Sequence, residues 1–221
     1  MLRLRLAINP TCPVNKLPPE ILTRCFLYLA PRFPLTRGPQ VPQHEWIRIT
    51  HVCKYWRAVV FGFSGFWDRV EFTRPEMLDM YLELSGSRPV EICLQHVGHG
   101  MLGGAAHEMV DLLVPVGRRI HSLIIHKDWI PSHDASLFME CSLPELETLS
   151  ITSDIGWENE SIGEPRKRLR ALFRGGLPRL RRLFIPEYTP WPHNEFKNLT
   201  LLCLYNQYAI EEELPELLQM L

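Results

Sequence analysis

The feature that most constrains this chain is a spacing. Apolar residues recur as apolar-x-x-apolar-x-apolar at four places: Ile120, Leu123 and Ile125; Leu146, Leu149 and Ile151; Leu180, Leu183 and Ile185; Leu199, Leu202 and Leu204. The last two positions of each alternate, as a half-buried strand requires. Val90-Glu91-Ile92-Cys93-Leu94 alternates in the same way ahead of them. Two units open on Leu-Pro-x-Leu, at Leu143-Pro144-Glu145-Leu146 and Leu177-Pro178-Arg179-Leu180. Helix-like segments lie between the strands, at Met101 to Val114, Ser136 to Cys141 and Arg166 to Phe173. Steps of about 19 to 34 residues fall in the range of a repeat solenoid. One strand-plus-helix unit cannot bury its own apolar face, and stacking neighbours builds a continuous core. The expectation is a sheet of parallel strands with helices outside it. A doubly wound sheet is the rival, weakened because no Gly-x-Gly-x-x-Gly turn follows any strand.

The first third of the chain reads differently. Pro18-Pro19-Glu20 suits the first turn of a helix, where a missing N–H costs nothing. Ile21, Leu22, Cys25, Phe26 and Leu29 then fall at helical spacing, and Pro31 and Pro34 end the run. Arg32 to Gln43, with Pro34, Gly38, Pro39 and Pro42, reads as a loop. A second helix is expected from about His44 to Phe61, carried by Trp46, Ile49, Cys53, Trp56 and Val60. Gly62-Phe63-Ser64-Gly65 breaks it, Phe66-Trp67 follows as an aromatic anchor, and Glu71 to Glu76 is a junction. A short helix from Glu76 to Leu84 then leads into the turn Ser85-Gly86-Ser87-Arg88-Pro89.

Composition narrows the function. A net charge of -1 supplies no global field for nucleic acid or an acidic membrane. No apolar window approaches the length of a membrane span. The six cysteines form no Cys-x-x-Cys pair and read as reduced thiols, which places the chain in the cytoplasm, the nucleus or both. His107-Glu108-Met109-Val110-Asp111 lacks the second histidine of a zinc-protease helix, and His121 and His126 are badly spaced for shared ligation. Gly-x-Ser-x-Gly is absent. The expectation is therefore no metal, no cofactor and no enzyme. Arg166, Lys167, Arg168, Arg170, Arg174, Arg179, Arg181 and Arg182 form the one strong charge cluster. It suits an acidic or phosphorylated target, or a nuclear-localisation signal, against the plainer reading of a solvated face.

Leu17-Pro18-Pro19-Glu20-Ile21-Leu22, then Phe26 and Leu29, then Val52-Cys53-x-x-Trp56-Arg57, then Phe66-Trp67, resembles the F-box in content and order, of the fungal type. The likeness covers about Asn15 to Phe72. The later units resemble leucine-rich repeats, a common companion of the F-box. Two departures stand out. The loop at 32–43 is longer than the family's. Asp128, Asp154, Tyr188 and Gln207 stand where a regular leucine-rich repeat has asparagine.

The resemblance implies an N-terminal extension over 1–14, an F-box-like helical domain over 15–72 and an irregular leucine-rich-repeat-like region over 73–221. The fold class is then α+β or an α/β repeat. It implies a substrate-recognition adaptor of a cullin–RING, SCF-type ubiquitin ligase, docking on the Skp-type linker subunit and holding an unknown protein target. The alternative is an interaction scaffold outside any ligase. The linker-contacting residues implied are Leu17, Pro18, Ile21, Leu22, Phe26, Val52, Cys53, Trp56, Phe66 and Trp67. Outward strand positions, Gln95, His126, Thr152, Arg182 and Tyr205, form the candidate target face. Glu211 to Leu221 begins a helix with no strand after it. That predicts a truncated end, or one covered by a partner.

Overall fold

The computed structural model describes residues 11–30, 43–72, 75–94, 111–126, 141–152, 173–174, 176–186 and 196–205. After a 3-10 turn at Pro13–Lys16, helix α1 spans Pro19–Leu27 and buries Leu22 and Phe26. The expected second helix is two pieces. A 3-10 stretch covers Gln43–His51, and helix α2 covers Lys54–Phe61. Cys53 between them is fully extended, at φ -156° and ψ 168°. Side chains compete with the backbone at the break. Thr50 Oγ1 donates to Ile47 O (2.7 Å) and Arg57 Nε donates to Thr50 O (3.0 Å), bonding carbonyls that a continuous helix would use itself.

Six strands follow: β1 (Arg69–Phe72), β2 (Val90–Leu94), β3 (Ile120–His126), β4 (Thr148–Thr152), β5 (Arg182–Pro186) and β6 (Leu201–Tyr205). Helix α3, Pro75–Leu84, separates the first two. All neighbours pair in parallel and the strand order equals the chain order, making an α/β fold built on one parallel sheet. The order contains no reversal, hence no topological switch point of the kind where doubly wound sheets bind ligands. Strand β1 was not expected from the sequence, which reads a junction there. Trp67, Val70 and Phe72 keep the repeating spacing, with aromatics in place of leucines.

Register explains the spacing. Val70, Ile92, Leu123, Leu149, Leu183 and Leu202 stand side by side across the sheet. They belong to one core that runs from Leu22 in α1 to Phe196 before β6, with Leu202 partly buried at its border. Both Leu-Pro-x-Leu segments are turns, closed by Leu146 N–H to Leu143 O and Leu180 N–H to Leu177 O (3.2 Å each), and all four leucines are buried. The other face of the sheet is also covered at its centre. Cys93 and Ile124 are register partners in a small separate cluster, and Ser150 and Phe184, next in the same row, are buried as well. Parallel strands covered on both faces carry apolar runs rather than clean alternation, which is why β3 reads Leu123-Ile124-Ile125.

Side chains stitch the end of the sheet where the strands begin. Arg88 pairs with Asp68 (3.0 Å), Arg119 Nε donates to Arg88 O (3.1 Å), Arg179 pairs with Glu145, and Asn198 Nδ2 donates to Pro178 O (2.8 Å). The positions where a regular repeat would have asparagine lie outside the described residues.

Candidate functional site

The helical unit is assembled around α2. Tyr55 Oη donates to Leu17 O (2.6 Å) and Trp56 Nε1 donates to Asn15 Oδ1 (2.7 Å), so the segment ahead of α1 is pinned to α2. Phe26 meets the Trp56 ring at 4.8 Å between centroids, joining α1 to α2. With these groups turned inward, the neighbouring stripe of α1, Ile21, Cys25 and then Tyr28, is left exposed.

Eight large apolar side chains are exposed among the described residues, and six belong to this unit: Val14, Ile21, Tyr28, Leu29, Val52 and Phe61. Single exposed apolar groups are ordinary on any protein, whereas contiguous apolar patches are the ones that mark interaction surfaces. On the opposite side of α1, Thr23 and Leu27 with Ala58, Val59 and Phe63 line an open groove of about 540 Å³. Glu20 and Arg24 are the charged residues on its walls.

The ten residues expected to meet a linker subunit divide three ways. Pro18, Ile21 and Val52 are exposed; Leu17, Cys53 and Trp56 are half-buried. Leu22, Phe26, Phe66 and Trp67 are 4% exposed or less. These four build the core. Phe66 stacks on Trp46 (5.7 Å), and Trp67 sits among Trp46, Phe61 and Tyr81 at 5.0 to 5.3 Å. As folded, they shape the surface and cannot form it. Tyr28, the most exposed of the large apolar side chains at 87%, was not expected in the set. Its helical spacing from Ile21 and Cys25 is the signal that identifies it.

The strand positions proposed as a target face are only partly described. Arg182 is exposed and its Nε donates to Thr148 Oγ1 (2.9 Å). The backbones of His126 and Thr152 are register partners, and Tyr205 stands beside Pro186. The side chains of His126, Thr152 and Tyr205, and all of Gln95, lie outside the described residues.

Arg182 belongs to a row across the sheet, Arg69, Glu91, Ser122, Thr148, Arg182 and Leu201. Glu91 pairs with Arg69 (3.5 Å), yet burial holds its carboxyl above the ordinary carboxylate range, with Arg69 and then His121 pulling the other way. His121 is the extra residue at the bulge between β2 and β3, and its Nδ1 is buried without a hydrogen-bond partner. Burial likewise lowers the pKa of Arg119. Among the described residues no group of three or more His, Cys, Asp or Glu side chains is placed to hold a metal. None of the six cysteines is in a disulfide. No helix among the described residues is long and apolar enough to cross a membrane. No family model, no curated protein and no solved structure matches the chain.

Proposed function

We propose that the chain is a substrate-recognition adaptor of a cullin–RING ubiquitin ligase. Its helical unit docks on the Skp-type linker subunit, and its sheet-bearing part, a leucine-rich-repeat-like solenoid, holds a target protein. The observation that supports this most is the concentration of exposed apolar side chains on the helical unit. Pro18, Ile21 and Val52, three positions of the F-box-like motif, are exposed on that unit. Apolar anchors at the centre of an interface typically cost about 2 kcal/mol or more when truncated. Leu22, Phe26, Phe66 and Trp67 contribute by fixing the shape beneath. The solenoid reading draws on the sequential order of parallel strands and on the two Leu-Pro-x-Leu turns with matching hydrogen bonds.

In this reading the chain does no bond chemistry and needs neither metal nor cofactor. It raises the effective concentration of a target lysine at a ubiquitin-charged enzyme, in the cytoplasm or the nucleus. The test is affinity purification of the tagged chain with identification of the co-purifying subunits. The Skp-type linker and a cullin are the expected companions. Recovery of neither removes the proposal, and recovery of the linker without a cullin would leave a scaffold outside the ligase.

A further inference from the structure

The two charges are nearly balanced in number, 24 Lys and Arg against 25 Asp and Glu, but not in position. Between Arg166 and Pro186 the chain has eight basic residues and no acidic one. Five basic residues lie at or near the start of β5 and β6: Arg174, Arg179, Arg181, Arg182 and Lys197, all exposed. Backbone and side-chain bonds hold their segments together. Arg174 N–H donates to Cys141 O (3.0 Å), Arg181 O accepts from the N–H groups of Thr200 (2.8 Å) and Leu201 (2.9 Å), and Asn198 Nδ2 reaches Pro178 O (2.8 Å). The turns at 178–179 and 197–198 are therefore neighbours on a fixed frame. Two acidic residues lie nearby in the described residues, Glu145 and Glu147, and Glu145 is engaged by Arg179. Arg174 and Arg181 make no ion pair and no side-chain hydrogen bond among the described residues.

Arg174 and Arg181 have no acidic partner among the described residues, and an anionic occupant would supply one. We propose that this rim is a docking surface for an Asp- and Glu-rich segment of a partner protein. Guanidinium groups meet carboxylates in paired hydrogen bonds, and several on one frame select a segment carrying several acids. Nucleic acid fits less well. The aromatic rings described on these segments, Phe173, Phe184 and Phe196, are buried and cannot stack on bases. That the occupant is the target rests on the adaptor reading; that the rim binds an acidic segment does not.

The experiment is fluorescence anisotropy of a labelled glutamate-rich peptide titrated with the full chain at low and at moderate salt. Saturable binding that weakens with salt is expected, since exposed charges are screened. Arg174→Glu combined with Arg181→Glu should weaken it about tenfold or more, while Lys54→Glu, on α2 of the helical unit, should not. Circular dichroism checks that the variants fold. Should the reversal unfold the chain, Arg174→Gln with Arg181→Gln must still weaken binding. Unchanged peptide affinity in a folded variant, or tighter binding of single-stranded DNA than of the peptide, would overturn the proposal. Linker co-purification run in parallel separates the two readings: its failure in the wild type strikes the adaptor alone, and the peptide result stands.

Discussion

The Trp67 ring meets Tyr81 edge to face, with centroids 5.1 Å apart. Tyr81 lies on α3 beside the sheet, and Trp67 also touches Trp46 and Phe61 of the helical unit. Trp67 is thus the joint between the two parts, and its Nε1 donates to Val60 O (3.2 Å). Trp67→Ala should cost about 3–5 kcal/mol. Chemical denaturation followed by near- and far-ultraviolet circular dichroism should show both parts of the wild type unfolding together. Two separated wild-type transitions would mean that the parts are not coupled through this residue.

Arg119 fastens the end of α3 from 34 residues away. Its guanidinium donates to Ser85 Oγ (2.6 Å), Leu82 O (3.4 Å) and Arg88 O (3.1 Å), while Ser85 Oγ donates to Leu82 O (3.0 Å). Leu82 O is a carbonyl that the helix end leaves without a partner in the helix, and a cation there also meets the negative end of the helix dipole. Arg119→Ala should destabilise the chain by about 2 kcal/mol. Arg119→Lys should recover less than half of the loss, because an ammonium cannot bridge three acceptors in a fixed fork. Equilibrium denaturation of both variants is the check, and equal stability of the lysine variant and wild type would refute the fork.

Two glycines should respond differently to alanine. Gly86 ends α3 with φ +60° and has open space where a Cβ would go, so Gly86→Ala pays only for the left-handed backbone, about 1 kcal/mol. Gly117 is buried, and a Cβ there would lie 2.5 Å from the carbonyl oxygen of Ser142. Because that obstacle is backbone, Gly117→Ala must shift the neighbouring turn, at about 2 kcal/mol or more. The order of the two losses is measured by thermal unfolding, with Gly117→Ala expected to be the larger.

Glu91 makes stability depend on pH. Burial raises its carboxyl pKa above the 4.5 of an unperturbed side chain, so the folded state holds the proton more tightly than the unfolded state. Its contribution is then fully present below the unfolded pKa and is lost as pH rises through the folded one. Glu91→Gln removes that titration. Its stability relative to wild type should therefore increase as pH rises above the unperturbed 4.5. A difference between the two proteins that stays flat with pH would contradict the burial of this carboxylate.

Much of the sheet was legible before any coordinates, for a physical reason. In β3 to β5 the same three positions face one core, so leucine and isoleucine recur there and little else fits. Strand β1 escaped because Trp67, Val70 and Phe72 carry its pattern with aromatics, beside a loop that reads as a break. The split of the second helix escaped because Trp46, Ile49, Cys53, Trp56 and Val60 keep helical spacing across a residue that is extended. The covered row Cys93, Ile124, Ser150 and Phe184 could not be foreseen, since a strand's own residues do not say what packs over them. The candidate docking surface was half legible. The motif places apolar residues in a small helical unit, and only packing tells Ile21 and Val52 from Leu22 and Phe26, because all four are apolar and only the last two enter the core.

The most direct test is titration calorimetry of a purified Skp-type linker subunit into the full chain and into Ile21→Glu with Val52→Glu. Both substitutions fall on exposed side chains, so the variant should fold and unfold like wild type. Saturable binding to the wild type and its loss in the folded variant is the predicted result. Equal binding to both, or none to the wild type, would contradict a linker-docking surface on the helical unit.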